Sequence, residues 1–94
     1  MARIKVMIVD DHEVVRLGLR AVLEIEKDFE VSGEAPDAAS ALRAATVLRP
    51  DVVLMDVRMP GTDGIEACRQ LRERLPDTRV LMLTSYGDED AVMA

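Results

Sequence analysis

The chain has 94 residues, 49% of them apolar and 32% charged, with a formal net charge of −6. That bounds it to one small globular domain, and the acidic balance excludes a grip on nucleic acid by this segment, which requires a basic face. One cysteine excludes an internal disulfide and a cysteine-built zinc site.

No apolar run approaches the ~20 residues of a membrane span. Arg3, Lys5 and Asp10 interrupt the N-terminal apolar stretch, so no signal peptide is read there. The expected setting is the cytoplasm.

In chain order, Ile4 to Val9 (IKVMIV) is short and rich in β-branched residues, the pattern of a buried strand. From His12 the period changes: Val15, Leu19, Val22 and Leu23 fall on one face of a helix. A second strand is predicted near Phe29 to Glu34. Pro36 and Asp37 open an alanine-rich helix with Ala41, Leu42, Ala45 and Leu48 on one side, closed by Pro50. Val52 to Met55 is a third strand, and MPGTDG a loop dense in turn residues. Ile65, Cys68, Leu71 and Leu75 mark a third helix, and Val80 to Leu83 a fourth strand. Gly87 and Asp88 begin a fourth helix, with Asp88, Glu89 and Asp90 suited to its first turn.

Strands alternating with helices imply an α/β domain with a parallel sheet covered on both faces. Strands apolar on both sides agree with that. The fourth helix runs barely two turns before Ala94, so the chain reads as a piece of a longer protein.

In an open parallel sheet, sites form beyond the carboxyl ends of the strands. Strand one ends in Asp10 and Asp11, strand three in Asp56, and strand four in Thr84 and Ser85. If strands one and three are neighbours, three carboxylates converge with a hydroxyl beside them. Such a cluster needs a cation, and oxygen ligands with room for water suit Mg2+. A carboxylate beside Mg2+ can attack a phosphoryl group. Each acid alone has a plainer role: Asp11 is placed to cap the first helix.

The stretches IVDDHEVVRLGLRAVLE, DVVLMDVRMPGTDGIEACRQLR and VLMLTSY resemble the receiver domain of two-component response regulators. DDHEVVRLGL and LTSY are most similar to the NarL/FixJ (LuxR-type) subfamily, whose receivers precede a helix-turn-helix DNA-binding domain. The resemblance implies a flavodoxin-like doubly wound parallel sheet of strand order 2-1-3-4-5, with strand 5 and helix 5 missing from this chain. Residues 1–94 would then be a C-terminally incomplete receiver, with the DNA-binding domain in the parent protein.

It also implies that Asp56 accepts a phosphoryl group from a sensor histidine kinase. Asp10, Asp11, Asp56 and the backbone carbonyl of Arg58 would bind Mg2+, and Thr84 would act as the switch hydroxyl that moves the output face. Such a domain is a signalling phosphoacceptor for transcription control, not a turnover enzyme. The family's lysine after strand five is absent, and neither Lys5 nor Lys27 is placed to replace it. Three carboxylates and Mg2+ therefore keep one net negative charge.

Two alternatives stay open on the residues alone. One is a phosphatase working through an aspartyl-phosphate, although such enzymes place D-x-D, not D-D, after the first strand. The other is an interaction module that is never phosphorylated. Cys68, Met7, Met55 and Met82 are expected in the core, His12 near the surface beside the acids, and Gly18 at a close contact between helix one and the sheet. An uncovered fourth strand would template self-association or a homodimer.

Overall fold

A computed structural model describes residues 3–56, 58–59 and 62–83. Four parallel strands, β1 (Ile4–Val9), β2 (Phe29–Ala35), β3 (Val52–Asp56) and β4 (Arg79–Leu83), form a sheet of order β2-β1-β3-β4. Helices α1 (Glu13–Ile25), α2 (Ala38–Leu48) and α3 (Gly64–Arg74) connect them in sequence. The architecture and strand order are those expected. The fourth helix predicted from Gly87 lies outside the described residues, as do Thr84, Ser85 and Tyr86.

Alternation along the strands explains the layering. Met7 and Val9 of β1 and Val53 and Met55 of β3 are fully buried in one cluster with Ala41 and Ala45 of α2 and with Ala67, Leu71 and Leu75 of α3 and its C-terminal edge. Val6 and Ile8 are equally buried on the alternate positions, the side left to α1. Alanines on α2 let that helix sit close to the sheet. Gly33 shows how close: a Cβ there would lie 2.6 Å from Leu48 Cδ1. A bulge between β1 and β2 skips Ser32, whose hydroxyl donates to the Val6 carbonyl at 3.4 Å. Asp37 caps α2 by accepting from the Ser40 amide at 2.7 Å, a bond that holds its carboxyl below the usual range.

Several local expectations are corrected. Gly18 has no atom within 4 Å of where a Cβ would stand, so it serves no close packing. On α1, Leu19 and Leu23 are half-buried, but Val22 is 63% exposed and no residue of the helix is fully buried. On α3 the inward positions are Gly64, Ala67 and Leu71, while Ile65 is largely exposed. Cys68 is half-buried at the rim of an open groove with Ile65, Arg69 and Arg72, outside the core cluster. Met82 is half-buried and packs against the core from the edge. The MPGTDG stretch, read as loop, includes two-residue strands at Arg58–Met59 and Thr62–Asp63 paired antiparallel.

At the amino ends of the strands, the Asp51 side chain accepts from the Lys5 amide at 2.8 Å and the Thr78 hydroxyl donates to the Pro50 carbonyl at 2.7 Å. Those bonds close that pole and leave the carboxyl ends as the open one.

Candidate functional site

The register of β1 against β3 builds the site. Val9 pairs with Met55, so the next residue on each strand, Asp10 and Asp56, emerges side by side. Asp56 in turn pairs with Leu83 of β4, which leads directly to Thr84, outside the described residues. Asp10 and Asp56 are almost fully buried, at 6% and 3% exposure, and the Asp11 side chain is about three-quarters buried. One ligand atom from each of Asp10, Asp11, His12 and Asp56 lies within 4.8 Å of every other. The convergence expected of the three acids is therefore present, with His12 added to it.

Local bonds fix the corner between β1 and α1. The Asp10 amide donates to the Ala35 carbonyl at 3.1 Å. The Asp10 Oδ1 accepts from the His12 amide at 2.8 Å and stands 3.0 Å from His12 Nδ1. Asp10 thus makes an Asx-type turn that launches the helix. His12, not Asp11, occupies the N-cap position, and it makes no side-chain cap, which corrects the capping role read for Asp11. Arg16 reaches back one turn: its Nη1 donates to the Asp10 carbonyl at 2.6 Å, and its Nε donates to Glu34 at 3.2 Å. Arg20 donates to the other oxygen of Glu34 at 2.7 Å. Glu34 lies on β2, so this fork ties α1, β2 and the Asp10 backbone together. Sequence reasoning missed it, although an arginine one turn beyond the acids was a visible signal.

The Asp11 Oδ1 is buried and has no hydrogen-bond partner, although His12 Nδ1 lies 3.0 Å away. The two observations agree once proton count is considered: Nδ1 carries at most one proton, and Asp10 Oδ1 is its acceptor. A bond from the Asp10 carboxylate, followed by the nearby charge of Asp11, raises the His12 pKa above its ordinary 6.5. Three clustered carboxylates with one orphaned, buried oxygen fit a small hard dication with oxygen ligands. Arg58, whose carbonyl was the further ligand expected, follows Asp56 closely in the short strand that pairs with Thr62–Asp63.

Comparison with known proteins places the chain in a family. A family model for the response regulator receiver domain matches residues 6–94. The transcriptional regulatory protein LiaR of Bacillus subtilis (strain 168) is 51% identical over 89 residues, covering 95% of this chain and 42% of LiaR. The signal receiver domain of the putative response regulator NarL from Mycobacterium tuberculosis superposes with a TM-score of 0.85 at 34% identity, over 99% of this chain and 75% of that one. A two-component response regulator of the LuxR family from Aurantimonas sp. SI85-9A1 gives 0.84 at 38% identity, over 97% of this chain and 66% of that one. The chain spans about two fifths of the length of the curated relative. By fold and by sequence, the chain belongs to the response regulator receiver domain family of two-component systems.

Proposed function

We propose that Asp56 is the phosphoacceptor of this receiver and that Asp10, Asp11, Asp56 and the Arg58 carbonyl hold Mg2+ beside it. The observation that carries the reading is the meeting of Asp10, Asp11 and Asp56 across the β1–β3 register, with the Asp11 oxygen left without a hydrogen bond. A sensor histidine kinase is the natural donor. An oxygen of the Asp56 carboxylate attacks phosphorus and the P–N bond of the phosphohistidine breaks. The imidazole leaves with the electron pair and takes up a proton. Mg2+, when bound, offsets the repulsion between the attacking carboxylate and the phosphoryl oxygens.

Asp10, anchored through both its backbone groups, positions the cluster for this step. Thr84, the residue that follows β4, is assigned the switch: its hydroxyl would bond the phosphoryl oxygens and move the output face. That output is transcription control through a DNA-binding domain elsewhere in the whole protein, in keeping with the regulators this chain resembles. Self-association through β4 belongs to the same reading, supported by the place of that strand at one margin of the described sheet.

Titration with Mg2+ or Mn2+ tests the metal assignment. Asp11→Ala is expected to weaken binding at least ~10-fold, since even groups that only support a ligand are worth ~10–100-fold. Affinity unchanged by Asp11→Ala would remove Asp11 from the site.

A further inference from the structure

Two neighbouring residues of β2 hold the Asp10 main chain from both sides. The Asp10 amide donates to the Ala35 carbonyl at 3.1 Å. The Asp10 carbonyl accepts from Arg16 Nη1 at 2.6 Å, and Arg16 is itself held by Glu34 Oε1 at 3.2 Å. Glu34 pairs with Ile8 in the β1–β2 register, two residues short of the acid corner.

Charge alone would send Arg16 elsewhere. Carboxylates are the strongest partners of a guanidinium, and oxygens of Asp10, Asp11 and Asp56 gather within 4.8 Å of one another at this corner. Arg16 Nη1 nonetheless meets the neutral carbonyl of Asp10. Glu34 supplies the reason, because it occupies the Nε edge of the guanidinium. The side chains of Arg16 and Glu34 are only 17% and 28% exposed, so water screens their attraction incompletely. Arg20 donates to the second oxygen of Glu34 at 2.7 Å and stops that carboxylate from following Arg16. An Arg16 freed from Glu34 would need only a side-chain rotation to move from the Asp10 carbonyl to the Asp10 carboxylate. There it would occupy oxygens that the phosphoryl chemistry requires.

We propose that Glu34 is a positioning residue for phosphoryl transfer: by engaging the Arg16 guanidinium it keeps that cation on the Asp10 carbonyl and away from the acids around Asp56. This rests on the reading of Asp56 as phosphoacceptor. It goes further by naming the residue that prevents inhibition of the site by an arginine of its own chain. Glu34 touches none of the reacting atoms, and its effect passes through Arg16. That separates it from a plain ion pair between two elements. Breaking a plain pair costs stability, and removing the second partner repairs nothing. Removing Glu34 as a guard releases a competitor, and removing Arg16 as well takes the competitor away.

Rates of phosphorylation by acetyl phosphate with Mg2+ test this for wild type, Glu34→Gln, Arg16→Ala and the double variant, each on the chain extended to the length of its curated relatives. Glu34→Gln is expected to slow labelling of Asp56 toward ~100-fold, more than Arg16→Ala does. Adding Arg16→Ala to Glu34→Gln should raise the rate again, toward that of Arg16→Ala alone. A Glu34→Gln variant as fast as wild type, or a double variant no faster than Glu34→Gln, would overturn the proposal and leave Asp56 standing as phosphoacceptor. A wild type that takes no phosphoryl group at Asp56 would instead refute the underlying reading, and the proposal with it. Hydrogen exchange of the Arg16 Nε–H, followed by nitrogen-15 NMR in the 94-residue wild type, adds a readout that needs neither labelling nor a folded variant. Exchange should be slow and unchanged by Mg2+, because Glu34 holds that edge. Exchange accelerated by Mg2+ would place the guanidinium on the acids already and contradict the proposal.

Discussion

The Arg16 guanidinium donates to the backbone carbonyl of Asp10 at 2.6 Å while also holding Glu34. The acid at the tip of β1 is thereby fixed through its main chain by a side chain one turn into α1. Asp10 can then aim its carboxylate without itself paying the whole cost of being ordered. Arg16 is mostly buried, at 17% side-chain exposure, so its bonds are not the weak pairs of an open surface.

Arg16→Ala is expected to lower Mg2+ affinity ~10-fold and to cost ~1–3 kcal/mol of stability, since it removes charge-assisted bonds from a partly buried corner. Arg16→Lys should recover part of the affinity. Calorimetric titration beside denaturant unfolding checks both. Reduced stability with unaltered Mg2+ affinity would make Arg16 a structural tie alone.

Gly18 offers a simpler test. It lies inside α1 with open space where a Cβ would be. Gly18→Ala should stabilise the chain by ~0.5–1 kcal/mol by lowering the entropy of the unfolded state and raising helix propensity. A lower unfolding midpoint for the variant would show that the position is in fact crowded.

The margin of the sheet makes a third prediction. Among the described residues β4 pairs only with β3, and Leu81 is 54% exposed. An apolar strand with open backbone groups is a template for another chain. Sedimentation at micromolar concentration should show self-association of the 94-residue chain. A monomer whose Val80 to Leu83 amides resist exchange would contradict it.

Much of this was legible in the sequence, for identifiable reasons. The strands announced themselves because each is short, apolar and bounded by turn residues. Asp10, Asp11 and Asp56 stand at strand ends in the sequence, but their meeting depends on β1 and β3 being neighbours, which only the family resemblance implied. Helix faces were read less well. Ile65 and Val22 fit a helical stripe yet stand exposed, because a periodic pattern shows which residues share a face but not which face the sheet covers. The alanines of α3 and α2 carry more of the burial than their size suggested. Gly18 was misread because a helical glycine looks the same in sequence whether it faces a neighbour or open space. The Arg16–Glu34–Arg20 fork was only half legible: Arg16 stands one turn beyond the acids, but its partner Glu34 comes from a strand whose place beside α1 depends on the β1–β2 pairing.

The central claim is that the acid ending β3 takes the phosphoryl group. It is tested most directly by mass spectrometry after incubation with acetyl phosphate and Mg2+, on a version of the chain extended to the length of its curated relatives. The account predicts a single base-labile, hydroxylamine-sensitive phosphoryl group that maps to Asp56 and is lost in Asp56→Asn. A phosphoryl group found on His12 or Thr84, or an extended chain that takes none, would contradict it.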